Sequence, residues 1–203
     1  RVVNAATDPP ISFRNDIQPV LMSAGCNTGA CHGSARGKNG FHLSLFGYDP
    51  DKDYITLTRE QFGRRLNAAV PEESLALLKP TASVDHEGGE LFDKESPLYQ
   101  TFARWIQEGA QDDPKDLPSL TGIDLMPKEA VLEGEGAQQQ LTVRATYSDG
   151  TDRDVTDLAI LASVDDTIVS VDKHGLVTAG RRGEGFIMAR FGTFAVVSQM
   201  ISI

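Results

Sequence analysis

The only two cysteines of the chain, Cys26 and Cys31, enclose four residues, and His32 follows the second directly. Two thiols and an adjacent imidazole are what covalent haem attachment requires. The thiols add to the two vinyl groups and the imidazole takes one axial position on the iron. The usual spacing is C-x-x-C-H, and this stretch, C-x-x-x-x-C-H, is two residues longer. On a helix, residues three apart lie about 60° out of register, whereas residues five apart lie about 140° apart. A continuous helix through both cysteines would send the sulfurs to opposite sides, so the stretch must bulge. Gly29 offers backbone freedom for a bulge, and Asn27 and Thr28 tolerate turns. Three other readings of the same residues stay open. The cysteines can form a disulfide in an oxidising compartment, ligate zinc with His32 and another histidine, or be unrelated buried thiols.

The rest of the first half reads as short helices joined by irregular chain. Pro9-Pro10 blocks a helix, and residues 1–11 read as an irregular arm. A first helix should start near Asn15 or Asp16, with Pro19 in its first turn and Phe13, Ile17, Val20 and Leu21 on one face. Residues 33–40 are rich in glycine and read as an exposed loop, and 41–46 as a short extended segment. Short helices are expected over 53–61 and 72–78. Ser96 is a natural N-cap with Pro97 at the first helical position, Leu98, Phe102, Trp105 and Ile106 share a face, and Gly109 ends that helix.

After residue 110 the character changes. Asp112, Asp113, Pro114 and Pro118 mark a linker. Beyond it Leu141–Tyr147 alternates in and out, Ser148-Asp149-Gly150 is a hairpin turn, and further short strands fit 168–171, 176–179, 185–190 and 194–203. Regular short strands of this kind predict a β-sandwich. His174 sits in a turn, where a solvated side chain is the plain reading. The fold class expected is thus multi-domain: an all-α unit over 1–114, a linker over 115–121 and an all-β sandwich over 122–203.

Two resemblances attach to these stretches. Phe13-Arg14-Asn15-Asp16-Ile17-Gln18-Pro19-Val20-Leu21, the Cys26–His32 motif, Gly40–Pro50, Gly63-Arg64-Arg65, Pro71–Leu75, Leu78–Thr81, His86-Glu87-Gly88-Gly89 and Trp105–Ala110 resemble the N-terminal cytochrome c domain of large secreted planctomycete proteins. That likeness covers roughly residues 10–112, and one branch of the family carries the longer cysteine spacing. Tyr147–Thr151, Asp154-Val155-Thr156, Ser170-Val171-Asp172 and Gly175–Gly180 resemble the group 2 bacterial Ig-like domain, which says almost nothing of function.

The cytochrome resemblance implies one covalent haem c, held by Cys26 and Cys31 with His32 as proximal ligand. For the sixth position the candidates are His86, beside flexible glycines, His42, Met22 and an open site, and His86 is favoured because the resemblance singles out its motif. Arg64 and Arg65 are candidates to pair with the haem propionates, against the plain reading of a solvated surface pair. Haem c is attached outside the cytoplasm, so a periplasmic or extracellular location follows.

The function expected is an electron-transfer module with an unidentified redox partner protein. One alternative is a haem that binds small molecules or peroxide through a labile distal ligand. Another is a haem-free module contacting glycans or proteins through the Ig-like part. The formal charge of −10 argues against the basic surface that nucleic acids require. No apolar run approaches the length of a membrane span. Residue 1 is Arg, without a secretory signal, which reads as a processed or excised fragment. No G-x-S-x-G or H-E-x-x-H pattern suggests a hydrolase, and Asp49, Asp51 and Asp53 lack EF-hand spacing. The reading leans away from an enzyme and leaves any catalytic domain beyond residue 203.

Overall fold

The computed structural model describes residues 10–203, so most of the arm expected over 1–11 lies outside the described residues. The chain divides into two compact units with the break between Lys115 and Asp116.

The first unit is helical with much irregular chain. It opens on a wide π-type turn, Phe13–Ile17, which runs into α1, Gln18–Ser23. The cap is Ser12, whose hydroxyl accepts from Asn15 N, rather than Asn15 or Asp16. Pro19 has no N–H to give to the preceding turn. The bonds there are the wider ones, Ile17 N to Ser12 O at 3.1 Å and Gln18 N to Phe13 O. Helix α2, Pro50–Thr58, starts on the Asp49 side chain, which accepts from Lys52 N at 3.2 Å. Helix α3 is one turn, Leu75–Leu78. Helix α4, Pro97–Gln107, is capped by Ser96, whose hydroxyl accepts from Tyr99 N at 3.2 Å. Gly109, at φ +94°, closes its C-terminus as Ala110 N bonds back to Trp105 O at 2.9 Å.

Phe13, Tyr54 and Trp105 meet at the centre of this unit, with ring centres 5.3 to 6.3 Å apart. Ile17, Val20, Phe102 and Ile106 pack around them, all fully buried. Truncating an aromatic buried in this way typically costs roughly 3–5 kcal/mol, so this cluster is what fixes α4 against α1. A second tie is polar. The buried Asp53 carboxylate accepts from Ser44 N and Oγ, both at 2.6 Å, and from Gln18 Nε2 at 2.7 Å. Those bonds bend the 41–46 stretch away from the extended form expected of it. Only a single bridge, Lys38 to Phe41, forms there, and Phe46 and Gly47 turn left-handed at φ +54° and +74°.

The second unit is all-β. Its strands are β1 Leu120–Met126, β2 Glu129–Leu132, β3 Gln138–Gln140, β4 Thr142–Tyr147, β5 Asp152–Asp154, β6 Ile160–Ser163, β7 Val169–Val171, β8 Leu176–Ala179, β9 Gly183–Phe191 and β10 Phe194–Ser202. They pair as β1-β4-β5, β2-β10-β9-β6 and β3-β8-β7, and only β2 with β10 is parallel. Inward residues such as Leu141, Val143, Ala145, Val177, Ile187 and Met200 form one core. Strand β1 takes in Leu120 and Thr121, which the sequence reading leaves in the linker. Leu120 pairs with Tyr147 across a register shift, so the second unit begins earlier than residue 122. No helix among the described residues is long and apolar enough to cross a membrane.

Candidate cofactor site

After α1 the chain does not run on as a helix. Gly25 turns left-handed at φ +75°, and Cys26 N bonds back to Leu21 O at 2.9 Å. From there the six residues to His32 coil on themselves. Cys31 N and Gly33 N both donate to Thr28 O at 3.0 Å, and His32 N donates to Cys26 O at 2.9 Å. This last bond absorbs the two extra residues of the motif by closing the loop at its ends. The glycine that permits it is Gly33, not Gly29. A Cβ on Gly33 would sit 2.1 Å from Asn27 O, whereas one on Gly29 would meet only Leu45 Cδ1 at 3.9 Å.

Coiled this way, Cys26, Cys31 and His32 line one cavity of about 880 Å³. Both cysteines are free thiols. Cys26 is buried, and that burial, with the neighbouring Cys31 adding to it, pushes its thiol up to about 12. Among the described residues no three His, Cys, Asp or Glu side chains are arranged to hold a metal ion.

His86 enters the same cavity from the irregular chain after α3. Its turn is closed twice, by Gly89 N donating to His86 O and by His86 Nδ1 donating to Gly89 O, each at 2.9 Å. Gly88 lies against the ring, since a Cβ there would come within 2.9 Å of His86 Cε1. His32 is held likewise, with Nδ1 3.1 Å from Phe41 O. A carbonyl oxygen only accepts, so in both rings Nδ1 carries a proton. That is the arrangement in which outer groups fix a metal-ligating histidine. Burial is the main reason that His32 ionises below the usual histidine range, opposed by its bond to the Phe41 carbonyl and aided by the fields of His86, Arg65 and Lys79. The ring is therefore neutral and able to ligate.

The two rings lie nearly parallel, 12° between planes, with centres 6.5 Å apart. Two imidazoles sharing one metal from opposite sides, at metal–nitrogen distances of about 2.0–2.1 Å, place their centres roughly 6.3 Å apart. The separation of the two ring centres is close to that value. The walls around it include Leu21, Leu57, Leu75, Leu91, Phe92 and Phe102, and the volume lies within the range of about 300–1,000 Å³ typical of cofactor sites. These residues fit a flat, largely apolar tetrapyrrole.

The remaining sequence candidates fall in different places. Arg64 and Arg65 both line the cavity. Arg65 is buried, and its guanidinium donates to Thr56 O at 2.6 Å and Gly40 O at 3.0 Å. Neither Met22 nor His42 lines the cavity. Met22 is packed in the core and His42 faces Lys52, with its Nδ1 3.4 Å from Nζ. His174, in the second unit, pairs with Asp157 at 2.8 Å on an exposed turn. Lys38 and Lys79 also line the cavity, and sequence reasoning missed them because nothing marks a lone lysine.

Residues 119–197 match the family model of the bacterial Ig-like domain, group 2. The match lies wholly within the second unit, which from here is called the Ig-like unit. Among solved structures, domains 4 and 5 of the S-layer protein SbsC are similar at 16% identity, covering 42% of this chain and 53% of that one, with a TM-score of 0.38. Domains 5–6 of SbsC are similar at 17% identity over 42% of this chain and 45% of that one, with a TM-score of 0.37. The chain thus spans about half the length of these two structures, and likenesses this slight decide nothing about role. A comparison with curated proteins finds no match. The cytochrome c expectation for the first unit rests on its own residues.

Proposed function

We propose that the first unit is a c-type monohaem module for electron transfer in an exported protein, carried by a second unit that makes contacts. One observation carries this reading. Two parallel imidazoles with carbonyl-held Nδ1 atoms stand 6.5 Å apart in the cavity that Cys26 and Cys31 also line. Cys26 and Cys31 would hold the group covalently, and His32 and His86 would take its two axial positions. Haem c, when bound, supplies a one-electron iron couple.

The chain's own residues favour electron transfer over substrate chemistry at the metal. Both imidazoles are oriented by backbone carbonyls, and with both ligating, the metal would have no position left for a substrate. Leu21, Leu57, Leu91 and Phe102 give the cavity apolar walls. Arg64 and Lys38, at the same cavity, would balance acidic substituents on the group.

Two nitrogen ligands hold a lower potential than a histidine and a thioether. The haem-loaded chain should therefore titrate with a midpoint near zero or negative, and the reduced protein should take up carbon monoxide slowly. A midpoint well above about +200 mV would indicate a thioether ligand. Rapid carbon monoxide binding would favour the small-molecule or peroxide reading.

The family match supports a further part of the proposal, that the Ig-like unit contacts proteins or glycans outside the cytoplasm. If the cavity takes no haem, that contact role is the reading left standing for the chain.

A further inference from the structure

We infer that Arg65 is a positioning residue for His32, acting through Phe41, rather than a partner for the acidic groups of the cofactor. The inference rests on the haem reading above. Arg65 is among the few buried charged residues, at 7% exposure. Its Nη1 donates to Thr56 O at 2.6 Å and reaches Glu60 O at 3.4 Å, while Nη2 donates to Gly40 O at 3.0 Å. Three backbone segments are thereby held by one fork of donors. The single carboxylate near it, that of Glu60, is 3.7 Å away and half exposed.

The remaining face of the guanidinium lies over the Phe41 ring, its central carbon 4.5 Å from the ring centre. The other neighbour of that ring is His32, again 4.5 Å between centres with planes at 51°. The carbonyl of the same Phe41 accepts the His32 Nδ1 proton at 3.1 Å. Guanidinium, phenyl and imidazole thus form a continuous pile. Arg65 fixes both the ring that His32 leans on and, through Gly40 O, the backbone whose next carbonyl orients it. A buried cation with its donors on neutral carbonyls is costly to keep. Here the fork geometry, which lysine lacks, accounts for the choice of residue.

The test uses the full chain matured with haem, in four variants: Arg65→Met, Arg65→Lys, Phe41→Leu and the double Arg65→Met/Phe41→Leu, with Arg36→Met as control. Loss of an outer-shell partner typically weakens a metal–ligand hold about 10–100-fold. Arg65→Met should therefore raise the apparent carbon monoxide affinity of the reduced protein by about ten-fold or more and shift the low-spin electron paramagnetic resonance signal. Phe41→Leu should do the same, the double variant should do no more than either, and Arg65→Lys should fail to restore wild-type behaviour. Arg36→Met, which removes an exposed charge that does not line the cavity, should leave both readouts in place. Haem-bearing Arg65→Met with wild-type carbon monoxide affinity and resonance signal overturns the positioning role alone. If Arg65→Met does not fold, Phe41→Leu carries the test, and wild-type readouts from it overturn the role. A wild-type chain that takes no haem overturns the haem reading itself and this role with it.

Discussion

Replacing Gly33 with alanine should abolish covalent haem attachment, and replacing Gly29 should not. The new Cβ at position 33 would lie 2.1 Å from Asn27 O, 2.6 Å from Asn27 C and 2.9 Å from Thr28 O. All three are backbone atoms, so no side chain can swing aside. The coil must open, and the bonds from Gly33 N to Thr28 O and from His32 N to Cys26 O go with it. Leaving such groups unpaired costs roughly 1–3 kcal/mol each. The larger loss is geometric. Cys26 and Cys31 reach one cavity only while the two ends of the loop are joined. At Gly29 the added carbon meets one methyl at 3.9 Å, an ordinary contact. Haem-stained gels of the two variants, matured side by side, should show a band for Gly29→Ala and at least ten-fold less for Gly33→Ala, a loss on the scale of about 1.4 kcal/mol or more.

The second large effect is expected from His86→Ala. Among the described residues no other histidine lines the cavity besides His32, so the sixth position should open. The six-coordinate low-spin spectrum should become high-spin, and carbon monoxide affinity should rise by more than the roughly 10–100-fold that follows loss of an outer-shell partner. Added imidazole should restore the low-spin spectrum. A variant that stays low-spin without it would show that another residue ligates. Gly88→Ala should give a milder form of the same change, because its Cβ would press on His86 Cε1 at 2.9 Å.

How far these features were legible follows from the physics of each. The cap of α4 was plain because Ser96-Pro97 is a local signal that needs no tertiary partner. Strands β4, β8, β9 and β10 were visible through their alternation. Strands β3 and β5 were not, since Gln138–Gln140 and Asp152–Asp154 are short, polar and largely exposed. The extended stretch expected at 41–46 was overridden by a buried carboxylate, Asp53, that captures Ser44.

At the site, ligand chemistry and the resemblance pointed to Cys26, Cys31, His32 and His86, and the cavity brings all four together. What the sequence hid was the support around them. Gly33 matters through a contact with Asn27 that only the coiled loop creates. Arg65 looked like half of an arginine pair, yet its donors go to carbonyls at 40 and 56. Both depend on which backbone atoms the fold brings close, and residue type alone does not encode that.

The most direct measurement is the intact mass and alkaline pyridine spectrum of the chain produced in a host able to attach haem c. The account predicts a mass increase of about 616 Da that survives denaturation, with the reduced α band of a haem joined by two thioether bonds. A colourless product of the bare polypeptide mass, from a host that loads a control cytochrome in parallel, would contradict it.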